Sequence, residues 1–156
     1  MIKIPYEIIQ GHQQIHPKSC VPMSVEFVLK YEKQMDISNF GLQEDLAKHG
    51  NSNWVDGYKH GNIEFSRPVE FYNKRGANFP FEALYSKIIS ELSEDRLVII
   101  SLLESDGDFH NYVIYDCDSK NGELIATTKG RPNSNNVWER VQQINGTDIL
   151  IYKKLK

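Results

Sequence analysis

The sequence predicts an α+β domain in which helices come first and an antiparallel sheet follows. Three observations carry this expectation. Before Arg96 the apolar residues recur at helical spacing in separate stretches. From Arg96 onward they gather in β-branched runs of strand length. Turn formers, as in "CDSKNG", separate those runs.

In chain order, residues 6–18 are polar and irregular. From Ser19 to Tyr31, Val21, Val25, Val28 and Leu29 mark one face of a helix, with Phe27 and Tyr31 beside them. Ser19 suits the N-cap, and Pro22 is tolerated in the first turn. "GLQEDLAKHG" predicts a short helix closed by Gly50. Residues 51–66, rich in Asn, Gly and Trp, read as a long loop. "RPVEFYNKRG" and "PFEALYSKIISELSED" predict two further helices. "RLVIISLLE", "FHNYVIYD", "ELIATTK" and "TDILIYKKL" predict four strands.

The chain of 156 residues fits one domain over 1–156 and is long enough to bury a core without disulfides or metals. With 18 basic against 21 acidic residues and a net charge of −3, it lacks the basic footprint of a nucleic-acid binder. "LVIISLL" is the longest apolar run, too short for a membrane span, and "MIKIPYEIIQGHQQ" lacks the apolar core of a signal peptide. The expected location is the cytoplasm, or outside it by a route that uses no such signal. The two cysteines, Cys20 and Cys117, give no reason to expect a disulfide there.

Cys20 is the first chemically pointed residue. At the first turn of a helix a thiol meets the positive end of the macrodipole, and Lys18 adds charge nearby; both favour the thiolate. Buried free cysteines acting as small hydrophobes are nevertheless common. His110 opens a strand just past the turn-rich "ESDGDF", at what would be a rim of the sheet. Histidine is the usual general base near neutral pH. A cysteine and a histidine far apart in sequence, each at the end of an element, fit nucleophilic catalysis. Gln14, in the loop before the helix, could join the Cys20 N–H in stabilising an oxyanion.

These residues resemble the papain-like cysteine peptidases, and most closely the bacteriocin-processing, double-glycine leader peptidases and their stand-alone relatives. The shared features are "Q-IHPKS-C", then "CVPMS" with Pro22 and Ser24, the apolar strand "LVIISLL", and the histidine-opened strand "HNYVIYD". "VWERVQQINGTDILIYKKL" has its counterpart in that family too. The resemblance implies a papain-like fold, with the nucleophile helix among N-terminal helices and the sheet after them. It also implies a small bacterial thiol protease acting on a peptide or protein without metal or cofactor. Cys20 would be the nucleophile, His110 the base and Gln14 the oxyanion donor. Two departures stand out. Val21 replaces a preferred glycine, and the Asp of the family's Asp-Pro reads Thr127, or Thr128, in "IATTK". Asp116 is about 20 Å along His110's own strand at roughly 3.3 Å per residue, too far to substitute. A two-residue turn at Asn121-Gly122 would set Asn133 opposite His110. A threonine hydroxyl could accept the imidazole N–H, but would stabilise an imidazolium less than a carboxylate.

Other signals point elsewhere. His12, His16 and Cys20 are spaced by four, as metal ligands on a helix would be, but Pro17 interrupts and no second cluster completes a site. Cys117, between two carboxylates, reads as structural. Trp54 and Tyr58 would line a groove or pack their loop down. Glu64, Glu70 and Glu82 read as solvated. The same three site groups also serve deamidation or acyl transfer. A papain-like domain kept only for binding is the non-enzymatic alternative. The substrate and the oligomeric state are not encoded in any motif.

Overall fold

The computed structural model describes residues 4–10, 20–39, 41–43, 56–71, 76–104, 107, 109–118, 120, 122–128, 131–134 and 136–155. The protein is a mixed α+β domain with an antiparallel sheet. Helix α1 is Tyr6–Gln10, inside the stretch read as irregular. Helix α2 is Cys20–Tyr31, within one residue of its expected start. Of the helix expected from Gly41, residues 41–43 are helical and the rest lie outside the described residues.

The hairpin β1, Lys59–His60, and β2, Ile63–Ser66, falls inside the expected loop. Gly61, at φ 58°, opens its two-residue turn, a conformation that glycine adopts without a Cβ clash. Ile63 and Phe65 alternate with Glu64 and Ser66, so one face of β2 is buried. The period-2 signal spans only four residues, and β2's second neighbour, β7, comes from the far end of the chain. The expected helix at 67–76 is not present among its described residues. Val69–Phe71 form a turn in which Val69 points to solvent and Phe71 packs on Phe79, with ring centroids 6.3 Å apart. No helical face covers both side chains.

Helix α3, Phe81–Ser93, buries Leu84, Ile88 and Leu92 at helical spacing. Then come β3, Val98–Leu103; β4, Phe109–Asp118; β5, Glu123–Thr128; and β6, Arg131–Ser134. Helix α4 is Val137–Gln143 and strand β7 is Ile149–Lys154. The described strands form one seven-stranded sheet in the order β1-β2-β7-β3-β4-β5-β6, every pair antiparallel. The last strand in sequence thus lies between β2 and β3.

Both faces of the central strands are buried, as their near-continuous apolar runs require. One face carries Ile99, Val113, Leu150 and Tyr152. Glu32, just past α2, accepts from the Tyr152 hydroxyl at 2.6 Å and pairs with Lys154 at 3.0 Å, so the end of α2 sits on this face. The other face carries Ile100, Leu102, His110 and Tyr112. Helix α4 covers it, with Arg140 over the Tyr112 ring at 5.1 Å. Trp138 joins α4 to α3 through edge contacts with Tyr85 and Phe81, at 5.0 and 6.2 Å between centroids.

Candidate active site

Cys20 is the first residue of α2, as a helix-terminal thiol requires. Its side chain, and Gln14 with Ser19 and Lys18, lie outside the described residues. His110 is the second residue of β4, half-buried, directly opposite Leu102. Its Nδ1 atom is buried.

The end of α2 is fixed where β3 begins. The Tyr31 hydroxyl donates to Asp95 at 2.7 Å, and the Leu97 N–H donates to Tyr152, whose own proton goes to Glu32. Burial, and then the bond to Glu32, push the Tyr152 phenol far above its ordinary range, so it stays protonated. From there α2 runs back against β4. Its 12 residues span about 18 Å. The six residues of β3 span about 20 Å.

The interior of α2 is unusually polar. Glu26 is buried and accepts from the side-chain amide of Gln43 at 2.8 Å and from its backbone N–H at 3.2 Å. Burial pushes its carboxyl above the usual range, and the Gln43 bonds and Lys30 only partly offset that. Lys30, buried one turn further on, has its ammonium pushed down by burial, with Glu26 and Asp36 opposing. The Ser24 hydroxyl is buried with no hydrogen bond to it among the described residues.

The strand register decides which threonine lies on the histidine's side. Asp116, Cys117 and Asp118 pair with Ile125, Leu124 and Glu123, and then a bulge at Tyr115 shifts the pairing. Beyond it Val113 pairs with Thr127. Thr127 therefore lies on the α2 face, three positions out of phase with His110. Thr128 shares the face of His110, and its hydroxyl donates to the Asn111 carbonyl at 2.8 Å. Both threonines are fully buried. Asn133 does not pair with β4: β5 ends at Thr128, and Asn133 is in β6, one strand further out. The reason is local. The connection from Asp118 to Glu123 is longer than a two-residue turn, and the bulge then moves the register by one.

Tyr58 packs its loop down, stacked on Phe65 at 6.4 Å and 3.3 Å from His60 through its hydroxyl. Trp54, His12 and His16 lie outside the described residues. Among the described residues no three His, Cys, Asp or Glu side chains group as metal ligands would. No helix among them is long and apolar enough to cross a membrane. Glu64 pairs with Lys153 at 2.9 Å and Lys59 at 3.5 Å, where sequence had suggested a solvated carboxylate. Sequence reasoning passed over Glu104, Tyr112 and Arg140, which form a hydrogen-bonded group beside the strand ends that flank His110. Each has an ordinary surface or core spacing, so only the fold reveals the group.

No protein-family model matches the chain, and no curated protein matches it.

Proposed function

We propose that the protein is a thiol-dependent amide hydrolase of papain-like design, acting on a peptide or protein. One observation supports the reading: Cys20 opens α2, whose far end is fixed where β3 begins and which packs against β4, the strand that His110 opens. In this mechanism the helix terminus favours the Cys20 thiolate, which attacks the carbonyl carbon. His110 holds the thiol proton and returns it to the leaving amine, and water then releases the acyl group. The Cys20 N–H and Gln14 stabilise the oxyanion. Deamidation of a side chain uses the same groups and differs only in what the cleft admits.

The second reading, a domain of this design kept for binding, is favoured by two specific features. Thr127 and Thr128 stand where the resemblance calls for a carboxylate. By alternation His110 lies on the face that α4 covers rather than on the α2 face, so a Cys20–His110 contact would have to be made around the rim of the sheet.

The test is alkylation of Cys20 by iodoacetamide as a function of pH, in a Cys117→Ser background, with and without His110→Ala. The hydrolase reading expects the parent to titrate well below the free-cysteine value of about 8.5 and His110→Ala to move back toward it. Identical curves near that value would select the binding reading.

A further inference from the structure

We infer that Arg140 is a positioning residue that pins the β3–β4 hairpin on both sides of His110. This deepens the hydrolase reading, because it names what places the histidine.

The geometry is specific. Arg140 projects from α4, a separate element, onto the face that carries His110. Its Nη2 donates to the carbonyl of Leu103, the last residue of β3, at 2.8 Å and lies 3.4 Å from the Glu104 carboxylate. Its Nη1 donates to the Tyr112 hydroxyl at 3.2 Å. The Tyr112 hydroxyl in turn donates to Glu104. One guanidinium thus holds the end of β3 and the start of β4 together. His110 lies between those attachments in sequence and in register: it faces Leu102, one residue before Leu103, and precedes Tyr112 by two on the same side.

The planar fork of arginine makes these contacts at once, which a lysine cannot do. Tyr112 is buried, so its hydroxyl needs a partner, while Arg140 and Glu104 are each about one quarter exposed. Gripping both strands matters for a strand-end residue, where the hydrogen-bonded ladder stops and pairing alone leaves the backbone loosest.

The experiment compares the parent with Arg140→Ala and Arg140→Lys by NMR in the full chain. It follows the His110 ring resonances and amide exchange across the hairpin, with the amides of α3 as an internal reference. The expected result for Arg140→Ala is a displaced His110 resonance. Exchange at Phe109–Asn111 should rise about tenfold or more, the scale of one hydrogen bond to a charged group, with α3 unchanged. Arg140→Lys should fall between. An unmoved His110 resonance with parental exchange would overturn the inference. So would an equal rise in exchange at the hairpin and in α3, which marks a merely structural role. The Cys20 alkylation profile separates this result from the hydrolase reading. A displaced His110 with an alkylation curve insensitive to both Arg140→Ala and His110→Ala leaves the clamp standing and removes the thiol chemistry.

Discussion

At the scale of single residues, Cys117 is the thiol whose side chain lies among the described residues. Burial first, then the carboxylates of Asp116 and Asp118, push it above its ordinary range. Iodoacetamide at mildly acidic pH should therefore label Cys20 well before Cys117. Replacing both aspartates by asparagine should bring Cys117 labelling to lower pH, and mass-spectrometric labelling rates check both. Equal rates for the two thiols in the parent would contradict the expectation. The threonines give a second test. Thr128 shares the His110 face, so Thr128→Asp should move the Cys20 titration lower, by about one to three units if the carboxylate comes within roughly 4–6 Å of the ring. Thr127→Asp would put its carboxylate on the other face, under α2, and leave that titration in place; because both threonines are fully buried, either variant should cost about 3 kcal/mol or more of stability at neutral pH. That cost should shrink as pH falls and the buried acid protonates. Thiolate absorbance and denaturation midpoints separate the outcomes, and a titration shift from Thr127→Asp would reverse this assignment. The resemblance put one of these threonines at the orienter's position from "IATTK"; which of them shares the face of His110 was not legible there. The answer rests on the bulge at Tyr115, and a single inserted residue flips every side chain beyond it.

At the scale of elements, α2 carries its own pH dependence. The carboxyl of Glu26 is raised by burial, so the folded chain holds that proton more tightly than the unfolded chain does. Its contribution is fully present below the ordinary carboxylate range and is lost as pH rises through the raised value. Urea midpoints of the parent relative to Glu26→Gln should therefore decline as pH increases from about 4.5 upward. A relative midpoint that rises with pH would show that the Gln43 bonds outweigh burial. The turn from α4 into β7 is equally exacting. Gly146 has φ 118°, and a Cβ there would fall 2.3 Å from the Phe79 ring. Gly146→Ala should cost about 2 kcal/mol or more, from backbone strain and overpacking together, as read by thermal or urea unfolding. Full stability in that variant would mean that Phe79 yields freely. Helices α2 and α3 were legible because their apolar spacing repeats over three turns. Helix α1, strand β6 and the β1–β2 hairpin were not, because each is too short for its period to stand out.

At the scale of the whole molecule, the sheet is closed by its last strand. β7 lies between β2 and β3, and Leu155 beyond it donates to the Asn62 carbonyl at 2.6 Å. Removing residues 149–156 should therefore split the sheet and abolish cooperative unfolding, which circular dichroism with urea would report. A truncated chain that still unfolds in one sharp transition would mean that β3–β6 fold as an independent unit. The same arrangement explains how a modest number of side chains ties distant segments together. Glu32 after α2 reaches Tyr152 and Lys154 of β7, and Arg67 after β2 pairs with Asp148 before it.

By itself the sequence determined the class of the fold, the nucleophile candidate at a helix start and the histidine at a strand start. Those features follow from local periodicity, turn chemistry and the placement of a few residue types, which act over a few neighbouring positions. Only the tertiary structure decided the strand order, the hairpin inside the apparent loop, the face on which each threonine lies and the grip of Arg140 on the two strands beside His110. These depend on register and on contacts between residues far apart in the chain. One bulge or one long-range pairing changes them without altering any local pattern in the sequence.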